Sequence, residues 1–290
     1  MNVLEQLESR LKEAGYLPRR SDVLALASAL AAKVQHGGSK ALLVQGPPGT
    51  GKSAFASAIA SVIQAQFVMY QCHSWTDADE LFVGVDVQAA VAGNAESVRQ
   101  EGVLARVARL SAVGMVVLLL DELDKAQDRA EALLLDWLQS GRVPLRPGIH
   151  AQTEMNNVIV IITSNDERQL SEALLRRAAR LVMGPLPVEH QIALIRARTG
   201  MDKGMITMLW KLAREVAAAE GNNALSIQEG CRLTEAAFSF AQSKGDLQIL
   251  VAQWAARSNK GRAAIPNMNK QVSAAWAEVC RARKGQSDAA

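Results

Sequence analysis

The 290-residue chain, 31.2 kDa, is 49% hydrophobic, 21% charged and 4% aromatic. That composition excludes a disordered or fibrous chain and allows one large domain or two modest ones, each with its own core. The formal charge of +3 is local: from Arg257 onward seven basic residues face two acidic ones, so the preceding body carries −2 and only the tail could attract a polyanion. No apolar run approaches the roughly 18–20 residues that span a bilayer, and residues 1–15 alternate charge with leucine where a signal peptide would be uniformly apolar. A cytoplasmic protein without a membrane segment is expected. Cys72, Cys231 and Cys280 are far apart and form no C-x-x-C pair, which argues against a disulfide framework and against structural zinc; His36, His73, His150 and His190 add no metal-ligand spacing.

In chain order, Ser21-Asp22 ahead of Val23, Leu24, Leu26, Ala27 and Leu30 predicts a capped amphipathic helix that stops at Gly37-Gly38. Ala41 to Gln45 is a short apolar strand, followed by a glycine loop from Gly46 to Gly51 and then helical spacing at Phe55, Ala58, Ile59, Val62 and Ile63. Further buried strands are predicted at Phe67–Tyr70, Val116–Leu120, Val158–Thr163 and Leu181–Met183, with room for crossover helices between them, as in a parallel sheet covered on both faces. Residues 84–100, around Gly93-Asn94, and residues 143–153, around Arg146-Pro147-Gly148, look like protruding hairpins. After Pro185 and Pro187 only helical patterns remain, at Gln191–Arg198, Lys203–Ala219, Ile227–Gln242, Leu247–Arg257 and Gln271–Arg283. The expected domains are an α/β unit with N-terminal helices and two hairpins over 1–187, a helical unit over 188–284, and a disordered end over 285–290. Trp210, Trp254 and Trp276 fall in helical stripes and are expected to be core.

Gly46, Pro47, Pro48, Gly49, Thr50, Gly51, Lys52 and Ser53 satisfy the phosphate-loop pattern between a predicted strand and a predicted helix, which is the context that pattern needs. The glycines let backbone N–H groups and the helix N-terminus face phosphates; Lys52 can reach the β- and γ-phosphates and Ser53 can ligate Mg²⁺. Val116–Leu120 delivers Asp121 and Glu122 at a strand end, Asp121 for hydrated Mg²⁺ and Glu122 to orient the attacking water, against the plainer reading of an acidic helix cap. Asn165 follows the next strand, where its amide could bond the γ-phosphate or hold the water, or could simply form a turn. Arg176 and Arg177 could neutralise transition-state charge in a neighbouring subunit, or be a solvated helix end.

The order GPPGTGKS, LLLDELDKA, ITSN and LSEALLRR, with a helical region after it, resembles the AAA+ ATPases from about Ser21 to about Phe240, and within them the MoxR-type branch. That branch is further suggested by residues 76–84 before the first hairpin, 101–104 after it, and 134–143 before the second. The resemblance implies an α/β P-loop AAA+ core with a five-stranded parallel sheet, a C-terminal all-helical lid, hexameric rings, and ATP and Mg²⁺ bound between subunits. It also implies a protein client or a partner with a von Willebrand factor A domain, on which ATP hydrolysis does chaperone-like remodelling or activation. By the same resemblance Arg177 matches the arginine that acts in trans, with Arg176 where an acid is usual. Gln228 stands where the lid's sensor arginine is usual, with Arg232 one helical turn on. Two alternatives stand beside this: an ATP-dependent assembly switch or adaptor with slow turnover, and a nucleic-acid-associated ATPase that uses the basic tail.

Overall fold

The computed structural model describes residues 2–31, 40–76, 81–85, 99–146, 148–221 and 225–287. The chain forms two compact units, Met1–Pro47 with Gly51–Met183, and Gly184–Ala290 with Pro48–Thr50. The division falls at Met183–Gly184, four residues before the expected 187–188. Met183 still donates its N–H to the Gln45 carbonyl at 2.7 Å, so the sheet holds the chain until Gly184 and Pro185 release it.

In the first unit, helices α1 (Val3–Glu13) and α2 (Arg20–Ala31) precede strand β1 (Lys40–Gln45), helix α3 (Lys52–Val62) and strand β2 (Gln66–Gln71). Helix α4 (Val103–Ser111), β5 (Val116–Asp121) and α5 (Asp128–Ser140) follow a hairpin base of β3 (Val83–Val85) and β4 (Arg99–Glu101). A second hairpin, β6 (Arg142–Arg146) and β7 (Ile149–Gln152), leads to β8 (Val158–Ser164), α6 (Glu172–Arg177) and β9 (Ala178–Val182). The five main strands pair in the order β2-β5-β8-β1-β9, all parallel.

The strand pattern follows from position in the sheet. β5 and β8 are buried at every residue, as interior parallel strands covered on both faces must be. Alternate residues feed two cores: Leu42, Val44, Val117, Leu119, Ile159 and Ile161 pack with α1, α2 and α3, while Leu43, Leu118, Leu120, Val160 and Ile162 pack with α4 and α5. Both expected hairpins pair antiparallel at their bases, Val83↔Glu101 and Val143↔Ala151. The tip of the first, with Gly93-Asn94, and the stop at Gly37-Gly38 lie outside the described residues. The last strand begins three residues earlier than expected, because its pairing to β1 opens at Ala41↔Ala178 through small residues that carry little apolar signal.

The second unit contains α7 (Val188–Thr199), α8 (Lys203–Ala219), α9 (Ile227–Phe240), α10 (Lys244–Ala255), α11 (Asn259–Ala264) and α12 (Asn269–Ser287), around a core that includes Ile195, Leu209, Trp210, Val216, Leu247 and Val279. Trp210 is buried and donates its indole N–H to Gln191 Oε1 at 2.7 Å. Trp254, expected in the core, is instead 37% exposed. Of the end expected to be disordered, residues 285–287 continue α12 and residues 288–290 lie outside the described residues; Arg283, one turn back, ties that helix down by donating to the carbonyls of Phe238 (2.7 Å) and Ala237 (2.9 Å). Helix α11 was not predicted. Its start is held by Glu220 far away in sequence, whose carboxylate accepts from the Ser258 N–H at 2.7 Å. Among the described residues no helix is long and apolar enough to cross a membrane.

Candidate nucleotide site

Parallel pairing places the carboxyl ends of β1, β5 and β8 side by side, with Gln45 opposite Ser164 and Leu120 opposite Ile162. Such an edge is where open α/β sheets bind ligands. From it emerge the glycine loop, the Asp121-Glu122 pair and Asn165, so the sheet brings together three motifs that are spread over more than a hundred residues of sequence.

Two glycines shape the loop. Gly46 has φ +149°, and a Cβ there would collide with the Met183 carbonyl. Gly51 has φ +97° at the N-cap of α3, and no side chain caps that helix, so its first backbone N–H groups face the loop as an anion-favouring terminus. Tyr16, which the sequence did not single out, packs its ring on Phe55 of α3, 5.3 Å between centroids, and anchors its hydroxyl on the buried Asp22 carboxylate at 2.8 Å.

Lys52 is 6% exposed and its ammonium group donates to the Gly46 carbonyl (2.6 Å), the Pro47 carbonyl (3.0 Å) and Asn165 Oδ1 (2.6 Å). Burial draws its pKa below that of an ordinary lysine, against the opposing charges of Asp121, Glu122, Asp124 and Asp166. Ser53 Oγ donates toward the Asp121 carboxylate, 3.1 Å from each oxygen. Thr163, fully buried, donates to Asp121 Oδ1 at 2.6 Å and accepts the Glu122 backbone N–H at 2.8 Å. Glu122 sits in the left-handed region, φ +57° and ψ +50°, a conformation that costs a non-glycine residue on the order of 1 kcal/mol and persists only where neighbours impose it. Its carboxylate is ringed by donors: Asn165 Nδ2 at 2.7 Å on Oε1, and Gln71 Nε2 at 2.8 Å and Lys125 Nζ at 2.7 Å on Oε2. The Lys125 bond holds the Glu122 carboxyl below the usual carboxylate range, opposed by burial and helped by Asn165.

Lys52, Ser53, Asp121, Glu122 and Asn165 therefore converge in one hydrogen-bonded group. Arg176 and Arg177 are placed elsewhere, exposed on α6: Arg176 pairs with Glu172 at 3.0 Å, and Arg177 donates to the Ala173 carbonyl (3.1 Å) and to Gln139 of α5 (3.2 Å). Gln71, Lys125 and Thr163 were missed. Gln71 stands opposite Asp121 in the strand register, Lys125 one short turn after Glu122, and Thr163 two residues before Asn165, so only strand pairing could have pointed to the first.

Residues 41–178 match the family model of the AAA domain, dynein-related subfamily. With the sheet order and the helical region after it, this match gives residues 41–178 the AAA+ P-loop fold. Two solved structures of RuvB variants from Thermotoga maritima are similar to the chain. One is 18% identical over 92% of this chain and 70% of its own, with a TM-score of 0.46; the other is 16% identical over 91% and 68%, with a TM-score of 0.47. No curated protein sequence matches this chain.

Proposed function

We propose that the AAA domain of this chain binds ATP with Mg²⁺ and hydrolyses it, and that the protein works in the cytoplasm as a MoxR-type ring, a hexamer, whose turnover remodels or activates a protein partner. The observation that carries the catalytic part is Asn165, whose one amide joins Lys52 to Glu122. In this reading the loop from Gly46 through Pro47, Pro48, Gly49, Thr50 and Gly51 to Lys52 and Ser53 holds the phosphates. All three protons of the Lys52 ammonium are engaged, so a phosphate oxygen enters by exchanging with one of its acceptors. Glu122, kept ionised by Lys125, accepts a hydrogen bond from the attacking water and orients it, with Asn165 fixing the carboxylate. The Ser53 hydroxyl and the Asp121 carboxylate are adjacent hard oxygen donors, a set that fits Mg²⁺, an ion usually held by one or two protein oxygens with phosphates and water completing its shell. When bound, the ion neutralises phosphate charge. Arg177, or Arg176 beside it, acts in a neighbour's site, as its exposure allows.

The sequence segments 84–100 and 143–153 are where this reading seeks the contact with a client or with a von Willebrand factor A-domain partner. Lys52→Ala should abolish nucleotide binding, whereas Glu122→Gln should retain ATP without turnover. A Glu122→Gln protein that hydrolyses at the wild-type rate overturns the assignment.

The switch alternative is favoured by one observation. Gln228 lies in the first turn of α9, where the family resemblance would put a sensor arginine, and Gln228 and Arg232 are both exposed one turn apart on that helix. ATP-loaded Glu122→Gln protein with full effect on its partner would favour the switch over remodelling by turnover.

A further inference from the structure

Helix α6 is held by a chain of polar contacts that begins in the candidate site. Asp124, 3% exposed, accepts the backbone N–H groups of Asn165 (3.0 Å) and Glu167 (2.9 Å) on a single carboxylate oxygen, and so fixes the turn that aims the Asn165 amide. The Asp124 carbonyl accepts from Arg168 Nε at 3.3 Å, and the same guanidinium reaches the Ala126 carbonyl through Nη2 at 3.3 Å. Arg168 Nη1 pairs with Glu131 at 3.0 Å and with Asp128 at 2.9 Å, both on the first turn of α5. Glu131, 2% exposed, uses its other oxygen to accept the backbone N–H of Ser171 at 2.8 Å. Ser171 is the N-cap of α6, its hydroxyl accepting from Leu174 N. At the far end of the same two helices Gln139 of α5 accepts from Arg177.

An ion pair on a buried carboxylate such as Glu131 is poor evidence of net stability, because an apolar replacement of similar volume often does as well. What it supplies is geometry. The rigid guanidinium fork bonds the turn after Glu122 and the start of α5 at once, and Glu131 passes that placement to the residue that caps α6. We propose that Arg168 and Glu131 are positioning residues that make α6 follow the turn carrying Asn165, so that the state of one subunit's phosphate site sets the placement of the arginine it offers its neighbour. The inference rests on the reading of Arg177 or Arg176 as acting in trans.

The test is steady-state ATPase of mixed assemblies. Arg168→Lys keeps the charge and loses the fork; Glu131→Gln keeps an acceptor for Ser171 and loses the ion pair; the Arg176→Ala, Arg177→Ala double variant removes the arginines. Alone, the two relay variants should lose kcat by about 10²-fold, the effect of roughly 1 Å of misplacement, with KM for ATP within about twofold. Each is then diluted into excess Glu122→Gln subunits, which offer a well-placed arginine but do not turn over themselves. The rate per variant subunit should recover to that of wild-type subunits diluted in the same way, for the relay variants and the double variant alike. If the double variant recovers and the relay variants do not, Arg168 and Glu131 serve their own site and the proposal is overturned while the trans reading stands. If the double variant does not recover, the trans reading fails and takes the proposal with it. A relay variant with unchanged kcat also overturns it, and Glu131→Gln carries the test if Arg168→Lys is not folded by circular dichroism.

Discussion

Thr163→Val keeps the shape of a fully buried side chain and deletes one hydroxyl that serves two residues. The hydroxyl's 2.6 Å bond to the Asp121 carboxylate is charge-assisted, a class worth roughly 1.5–3 kcal/mol. Its loss also leaves the Glu122 N–H, now bonded at 2.8 Å, without an acceptor, and an unsatisfied buried donor costs about 1–3 kcal/mol. With partial relaxation a total near ~3 kcal/mol is reasonable, and at about 2–4 °C per kcal/mol for a domain of this size the melting temperature should fall by roughly 6–12 °C. Activity should fall further than stability implies, because the same N–H bond holds Glu122 in its left-handed conformation. Calorimetry and ATPase measured well below the transition separate the two effects. Thr163→Ser is the control: it restores the hydroxyl, loses one methyl worth about 0.8 kcal/mol, and should recover kcat. A Thr163→Val protein with wild-type melting and wild-type kcat would refute the reasoning, since neither bond could then matter.

Two further outcomes follow from the charges. In the proposed mechanism Glu122 has to be ionised to orient water, and Lys125 is the largest influence lowering its pKa, so Lys125→Ala should raise that pKa and move the acid limb of the kcat–pH profile to higher pH; a limb that stays in place or moves down contradicts the pairing. Cys72 is 1% exposed with its thiol pushed up to about 12 by burial, so in native protein at neutral pH a thiol reagent should modify the half-buried Cys280 first and Cys72 only after denaturation, as peptide mapping will show.

That the glycine loop, Asp121, Glu122 and Asn165 share one edge of the sheet was legible because each stands at the end of an apolar run that the sheet buries, and β5 and β8 are buried without a break. Legibility fails where contacts come from afar. Nothing near Glu122 in sequence announces a left-handed backbone, which Thr163 imposes from the neighbouring strand. Gln71 becomes a partner of Glu122 only because β2 lies beside β5. β9 was displaced because an edge strand with Ala178, Ala179 and an exposed Val182 has weak apolar patterning, and α11 was missed because Glu220 organises its start across a long sequence gap. Trp254 shows that a helical stripe can include a half-exposed residue, since periodicity marks a face and not its depth.

The strand order also sets a timetable for synthesis. β1 emerges early, yet both strands that flank it are the last two of the sheet, with Lys40 pairing to Ile159 and Ala41 to Ala178. At a ribosomal pace of about 5–20 residues per second the loop strand waits on the order of ten seconds for either neighbour. During that interval an apolar strand has no partner in its own sheet, which is an aggregation hazard a holding chaperone could relieve. The loop is closed against Ser164 and Met183, so it takes its shape only when nearly the whole α/β unit has been made. A polypeptide truncated before β8 would carry the phosphate-loop motif intact and have no site to put it in.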